Sequence, residues 1–141
     1  MTVGRDIQVL ICDDYAPMRA LLRWIVEERV GLAVAGEAGD GHEAIAQATR
    51  LQPDVIVLDL AMPRKTGLEA LQELGRIAPA ARVIVFSGFS IASIGGELVD
   101  LGAISYLQKC ASPEAIIDAI EQAAASAAPV TSQVAGRRSI A

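Results

Sequence analysis

Aromatic residues are scarce in this 141-residue chain, at 4% of positions, and cysteine occurs twice. With so few rings the core has to be assembled from Val, Ile, Leu and Ala, which suits buried parallel strands. Cys12 and Cys110 are too few and too far apart to read as a disulfide framework or a metal cluster, so both are expected as free thiols. Positive charge is also short: 12 Lys and Arg against 17 Asp and Glu leave a net charge of −5, which disfavours a direct nucleic-acid or anionic-membrane surface. No apolar run approaches the ~18 residues of a membrane span, and no basic, apolar leader precedes the first strand candidate. A cytoplasmic protein without a membrane partner is expected. What the chain does have is 52% apolar and 21% charged residues, the balance of a globular domain. Its length is that of one ordinary domain that needs no staple.

Five short β-branched runs alternate with five helical stretches, which predicts a parallel sheet covered by helices on both faces. The strands are expected at Ile7–Cys12, Leu32–Glu37, Val55–Asp59, Arg82–Ser87 and Ile104–Leu107. The first helix is expected from Pro17 to Glu28, burying Met18, Leu21, Leu22 and Ile25. The second runs from His42 to Leu51, stopping ahead of Gln52-Pro53, and the third from Thr66 to Ile77. The fourth, Ile91–Leu101, contains Gly95-Gly96, at a cost of about 1 kcal/mol for each interior glycine. The fifth starts at Ser112, an N-cap followed by Pro113. From residue 126 onward small and polar residues read as a flexible tail or linker remnant. Trp24 reads as helix packing, Arg19 and Arg23 as a solvated face, and His42 as an exposed residue.

In open α/β sheets ligands collect at the carboxyl ends of the strands. There the sequence places Asp13 and Asp14, Asp59, Ser87 and, after the fifth strand, Lys109. Each alone is ordinary, and Asp14 by itself reads as a helix cap. Together they are costly, because carboxylates ~5 Å apart repel by about 3 kcal/mol at an effective dielectric of 20. Three carboxylates and one ammonium leave a charge that a hard divalent cation would cancel, with oxygen ligands favouring Mg²⁺. With such an ion, Asp59 is a plausible nucleophile toward phosphorus, with Lys109, Ser87 and nearby N–H groups supporting the phosphoryl oxygens.

These residues stand in four motifs: Asp13-Asp14; Pro53-Asp54-Val55-Ile56-Val57-Leu58-Asp59-Leu60-Ala61-Met62-Pro63; Ser87-Gly88; and Gly102 to Lys109. In that order the chain resembles the receiver domain of two-component response regulators, over about Ile7 to Ala124. The resemblance implies a flavodoxin-like (βα)5 three-layer sandwich with strand order 2-1-3-4-5, a receiver domain over 6–125 and a tail over 126–141. It implies phosphorylation of Asp59 by a sensor histidine kinase or phosphotransfer protein. Mg²⁺ would be held by Asp13, Asp14, Asp59 and the carbonyl of Ala61. Ser87 would be the switch hydroxyl and Tyr106 the switch aromatic, the alternative for Tyr106 being a strand residue with its hydroxyl in water. Such a domain assists its own phosphorylation and dephosphorylation without being a classical enzyme. The implied strand order also puts Cys12 and Cys110 three strand spacings apart, ~14 Å, beyond disulfide reach.

Several positions depart from the family pattern. Cys110 stands where many receivers have Pro, so the Lys109 loop is expected to be held differently. Ala61 and Phe89 offer no polar side chain along the route of attacking water, which predicts slow loss of the phosphoryl group. Gly95-Gly96 reads equally as a weak, bistable helix or as a place of close packing. Among rivals, a haloacid-dehalogenase-like phosphohydrolase would need a second Asp where Ala61 stands. A nucleotide or flavin carrier would need a glycine spacing that Gly36, Gly39 and Gly41 lack. A receiver-like interaction module acting without phosphorylation would not need the full set of charged residues. Val34–Ala38 and Ala111–Ala115 resemble NarL/FixJ-type receivers, whose DNA-binding output domain is missing from these residues. A downstream protein effector, or such an output domain in a longer chain, is therefore expected, and a phosphorylation-dependent homodimer is possible.

Overall fold

A computed structural model describes residues 5–88 and 94–126. In chain order the elements are β1 (Ile7–Cys12), α1 (Ala16–Glu27), β2 (Leu32–Ala38), α2 (Gly41–Leu51), β3 (Val55–Leu58), α3 (Gly67–Ile77), β4 (Arg82–Ser87), α4 (Gly95–Asp100), β5 (Ala103–Gln108) and α5 (Pro113–Ala125). All strand pairs are parallel, in the order β2-β1-β3-β4-β5. This is the flavodoxin-like arrangement that the receiver-domain resemblance implies.

Period-two alternation along the central strands divides the apolar side chains between the two faces. Leu10, Ile56, Leu58, Val83 and Val85 pack under α2, α3 and α4. Val9, Ile11, Val57, Ile84 and Phe86 pack under α1 and α5. Each fully buried Leu, Ile or Phe of these layers contributes about 1.5–3 kcal/mol of transfer free energy, so aliphatics can carry the core that aromatics do not.

Helix ends follow local chemistry. Asp40 caps α2 by accepting the Glu43 N–H at 2.8 Å. Thr66 and Glu69 cap α3 reciprocally, and the Ser112 side chain accepts the Ala115 N–H at 3.1 Å, as its sequence predicts. Gln52 ends α2 in the left-handed region at φ 46° and donates from Nε2 to Ile77 O at 3.0 Å.

Some expectations are corrected. Asp14 does not cap α1: the N-cap residue is Tyr15, without a side-chain cap bond. The buried stripe of α1 is Leu22, Ile25 and Val26, while Leu21 is 48% exposed. Leu21 lies one helical step, about 100°, from Leu22 and falls past the edge of the covered face. Trp24 is not packed inside but 58% exposed. Arg19 and Arg23 are not merely solvated. Both reach across to Glu37 on β2, at 3.0 and 2.6 Å. For the fourth helix, residues 91–93 lie outside the described residues, and Gly95 and Gly96 open α4 rather than interrupt it. The expected tail beyond residue 126 also lies outside them.

Candidate functional site

The rim residues are held by hydrogen bonds that extend the strand ladders beyond their ends. The Asp13 N–H donates to Ala38 O at 3.0 Å, the Asp59 N–H to Cys12 O at 2.9 Å, and the Lys109 N–H to Ser87 O at 2.8 Å. Sheet pairing therefore fixes where each side chain leaves the backbone. The turn after Lys109, where Cys110 replaces Pro, closes through the Ala111 N–H donating to Gln108 O at 2.9 Å.

Asp13, Asp14 and Asp59 each offer a carboxylate oxygen, and the three oxygens lie within 4.8 Å of one another. Asp13 and Asp59 are buried and Asp14 is exposed, so the cluster opens to solvent on the Asp14 side. The Lys109 ammonium lies 2.7 Å from Asp13 Oδ2 and 3.4 Å from Asp59 Oδ2. Asp13 Oδ1 accepts the Tyr15 N–H at 2.9 Å, and Asp59 Oδ1 accepts the Ala61 N–H at 3.3 Å. Ser87 closes β4, is fully buried and pairs in register with Gln108, the residue before Lys109. Ala61 is exposed in the loop after β3, and Tyr106 lies on β5 at 39% exposure. Phe89 falls outside the described residues.

Electrostatics mark Asp59 as the frustrated member. Burial and the neighbouring Asp13 charge raise its pKa above the ordinary carboxylate value, against the opposing pull of Lys109. Burial alone would lower the Lys109 pKa, but Asp13 and Asp59 outweigh it and raise the value. Cys12, buried next to Asp13, is held well above the ordinary thiol range by desolvation and then by that carboxylate, so it stays protonated.

One ammonium does not complete the site. The Lys109 ammonium serves both Asp13 Oδ2, at 2.7 Å, and Asp59 Oδ2, at 3.4 Å, so three clustered carboxylates share one ammonium. Two of the three are buried, and gathering them there is costly unless a further cation joins them. Three hard oxygen donors fit a divalent ion of the Mg²⁺ type better than a thiophilic metal.

Several supporting residues escaped the sequence reading. A Cβ at Gly67 would overlap the Asp59 carbonyl, and the Gly67 N–H donates to Leu60 O at 3.0 Å, so α3 begins directly against the Asp59 backbone. The spacing of Thr66 and Glu69 around it was the one available signal, a capping box. Arg19 donates to Asp13 O at 2.7 Å. On the other side of the loop Arg64, at φ 63°, pairs with the buried Asp40 at 2.7 Å, and the Gly41 N–H donates to Lys65 O at 2.7 Å. Those contacts strap the β3–α3 loop to the start of α2. They join residues distant in sequence and had no local signature.

Fold and rim together define a flavodoxin-like domain with an acidic, cation-ready site at the carboxyl edge of its sheet. The profile of the response regulator receiver domain matches residues 9–121. The chain is 35% identical to the chemotaxis protein CheY of Thermotoga maritima over 82% of its own length and 95% of that protein. It is 40% identical to the nitrate/nitrite response regulator NarP of Escherichia coli over 88% of its own length and 58% of NarP. Among solved structures, the response regulator domain of Thermotoga maritima CheB superposes with a TM-score of 0.80 at 34% identity, covering 86% of this chain and 98% of that one. A LuxR-family two-component response regulator from Aurantimonas sp. SI85-9A1 gives 0.81 at 28% identity, covering 93% and 94%. The chain belongs to the receiver domain family of two-component response regulators. It spans little more than half the length of curated relatives such as NarP.

Proposed function

We propose that the chain is a phosphorylation-dependent signalling switch whose acceptor is Asp59. Family membership supports the signalling role, and the observation that carries the chemistry is the buried Asp59 carboxylate with Lys109 Nζ at 3.4 Å and two further aspartates in ligand reach. Asp13, Asp14, Asp59 and the carbonyl of Ala61 would hold Mg²⁺, which supplies positive charge to the phosphoryl oxygens when bound.

In the reaction, an Asp59 oxygen attacks phosphorus of a phosphohistidine on a sensor kinase or phosphotransfer protein. The new O–P bond forms as the N–P bond breaks, and the imidazole leaves with the bonding electrons. Burial has already removed part of the water that would solvate the Asp59 charge, so its carboxylate gains when that charge is spread over the phosphoryl group. Lys109 balances the added negative charge from the Asp13 side, and the Ser87 hydroxyl and Ala61 N–H support phosphoryl oxygens. Ser87 and Tyr106 then carry the change toward α4 and β5. Ala61 and Phe89 bring no side chain that would orient water, so the acyl phosphate hydrolyses slowly. The domain is a switch rather than a turnover enzyme, read out by a protein effector or a DNA-binding output domain, with a homodimer as one form of that response.

The test is intact mass after incubation with Mg²⁺ and a small acyl phosphate, for the parent and for Asp59→Asn. Gain of one phosphoryl group by the parent alone supports Asp59 as acceptor. Equal labelling of both moves the nucleophile elsewhere.

A further inference from the structure

The two adjacent glycines of α4 are not equivalent. Gly96 is exposed, and a Cβ there would meet nothing within 4 Å. Gly95 is buried, and a Cβ there would overlap Cε2, Cζ and the hydroxyl oxygen of Tyr106. The outer edge of the Tyr106 ring therefore rests on bare helix backbone, while the residue remains 39% exposed. The helix it rests on has six residues and no side-chain cap, and its anchor in the core is the fully buried Leu98. So short a helix has little stability of its own, and its first turn is free to follow whatever packs on it.

Tyr106 has a second set of neighbours. With Ile104, Leu107, Ala115 and Ala119 it lines a groove of about 400 Å³ between β5 and α5. Its strand partner is Val85 on β4, the strand that ends in Ser87. One residue thus touches the start of α4 with its ring, helps line the β5–α5 groove, and sits on a strand paired to the one that reaches the acidic rim.

We propose that Gly95 is a positioning residue for Tyr106: its missing Cβ is the seat of the ring, and this contact couples the first turn of α4 to the β5–α5 groove. Moving the ring requires the turn to close behind it, and moving the turn releases the ring. The link to phosphorylation rests on the switch function proposed above, whereas the seat itself does not.

Gly96→Ala is the internal control, since both substitutions gain the same intrinsic helix preference and differ in what the new Cβ meets. In the unphosphorylated protein, Gly95→Ala is expected to lower the denaturation midpoint and Gly96→Ala to hold or raise it. In a Tyr106→Ala background, where the ring is gone, Gly95→Ala is expected to lose its penalty, and this double-mutant cycle stays readable even if the single variant folds poorly. NMR of ring-labelled tyrosine adds a positional readout: Gly95→Ala shifts the Tyr106 signal, Gly96→Ala does not, and Tyr15 stays in place in both. Equal behaviour of the two alanines, or a penalty that persists without the ring, overturns the seat. With Mg²⁺ and acetyl phosphate, labelling should change in Gly95→Ala and match the parent in Gly96→Ala, and equal labelling of all three overturns the coupling. A parent that takes no phosphoryl group overturns the proposed function instead, with the cycle and the ring signal still deciding the positioning role.

Discussion

The rim around β1 and β3 and the edge formed by α4 and β5 are built on opposite plans. At the rim the β3–α3 loop and the start of α2 are held several times over. Asp40 both caps α2 and pairs with Arg64, Gly41 bonds to Lys65, the Thr66–Glu69 cap is reciprocal, and Gly67 is pressed on the Asp59 backbone. At the edge, α4 has six residues and an uncapped start, and Tyr106 lies half-open on a glycine. A pocket that gathers carboxylates for one ion has to keep its donors still, whereas a surface that reports the event has to have a second arrangement within reach.

The largest expected effect breaks the rigid side. In α3, Gly67→Ala forces a Cβ into backbone that cannot yield and should cost about 3 kcal/mol, whereas Gly75→Ala, with open space around it, should gain close to 1 kcal/mol. Urea midpoints of the two variants check this, and equal effects would mean that the rim is looser than the contacts at Gly67 indicate. Next comes Lys109→Met, which leaves Asp13 and Asp59 without the ammonium that faces both. A loss of about 2 kcal/mol is expected at neutral pH, discounted from a fully buried pair because the lysine is partly open to solvent. That loss should shrink in acid as the carboxylates take up protons, and a loss independent of pH would make it a packing effect.

The smallest effect sharpens the contrast through pH. The Glu43 N–H and the Arg64 guanidinium hold the Asp40 carboxyl below its ordinary value of 3.8. A lowered folded pKa means that the unfolded chain binds the proton first. The stabilisation is therefore complete above 3.8 and is lost as the pH falls through the folded value. Asp40→Asn, which keeps an acceptor for the cap, should flatten that part of the acid limb in denaturation curves. An unchanged limb would remove Asp40 from the strap that steadies the rim.

What could be read from the sequence follows the range of the physics. Strand positions were legible because buried parallel strands are continuous apolar runs, and β1 and β4 lie where those runs begin and end. The helix start with its own chemistry at Ser112 was legible for the same local reason. Tertiary packing was not. The exposure of Leu21 and Trp24 depends on how α1 is rolled against the sheet, and the pairing of Arg19 and Arg23 with Glu37 depends on β2 lying beneath them. Gly67 and Gly95 look like any helix glycine until the Asp59 backbone and the Tyr106 ring are brought against them. The acidic set could be named because three carboxylates at strand ends make no sense as separate caps. How Lys109 divides itself between Asp13 and Asp59 required coordinates.

The most direct measurement is the unfolding free energy of the parent and of Asp13→Asn as Mg²⁺ is added. A pocket built around a cation should gain about 2.7 kcal/mol when the ion reaches a hundred times its dissociation constant, with most of that gain absent from Asp13→Asn. A parent whose stability is indifferent to Mg²⁺ would contradict it.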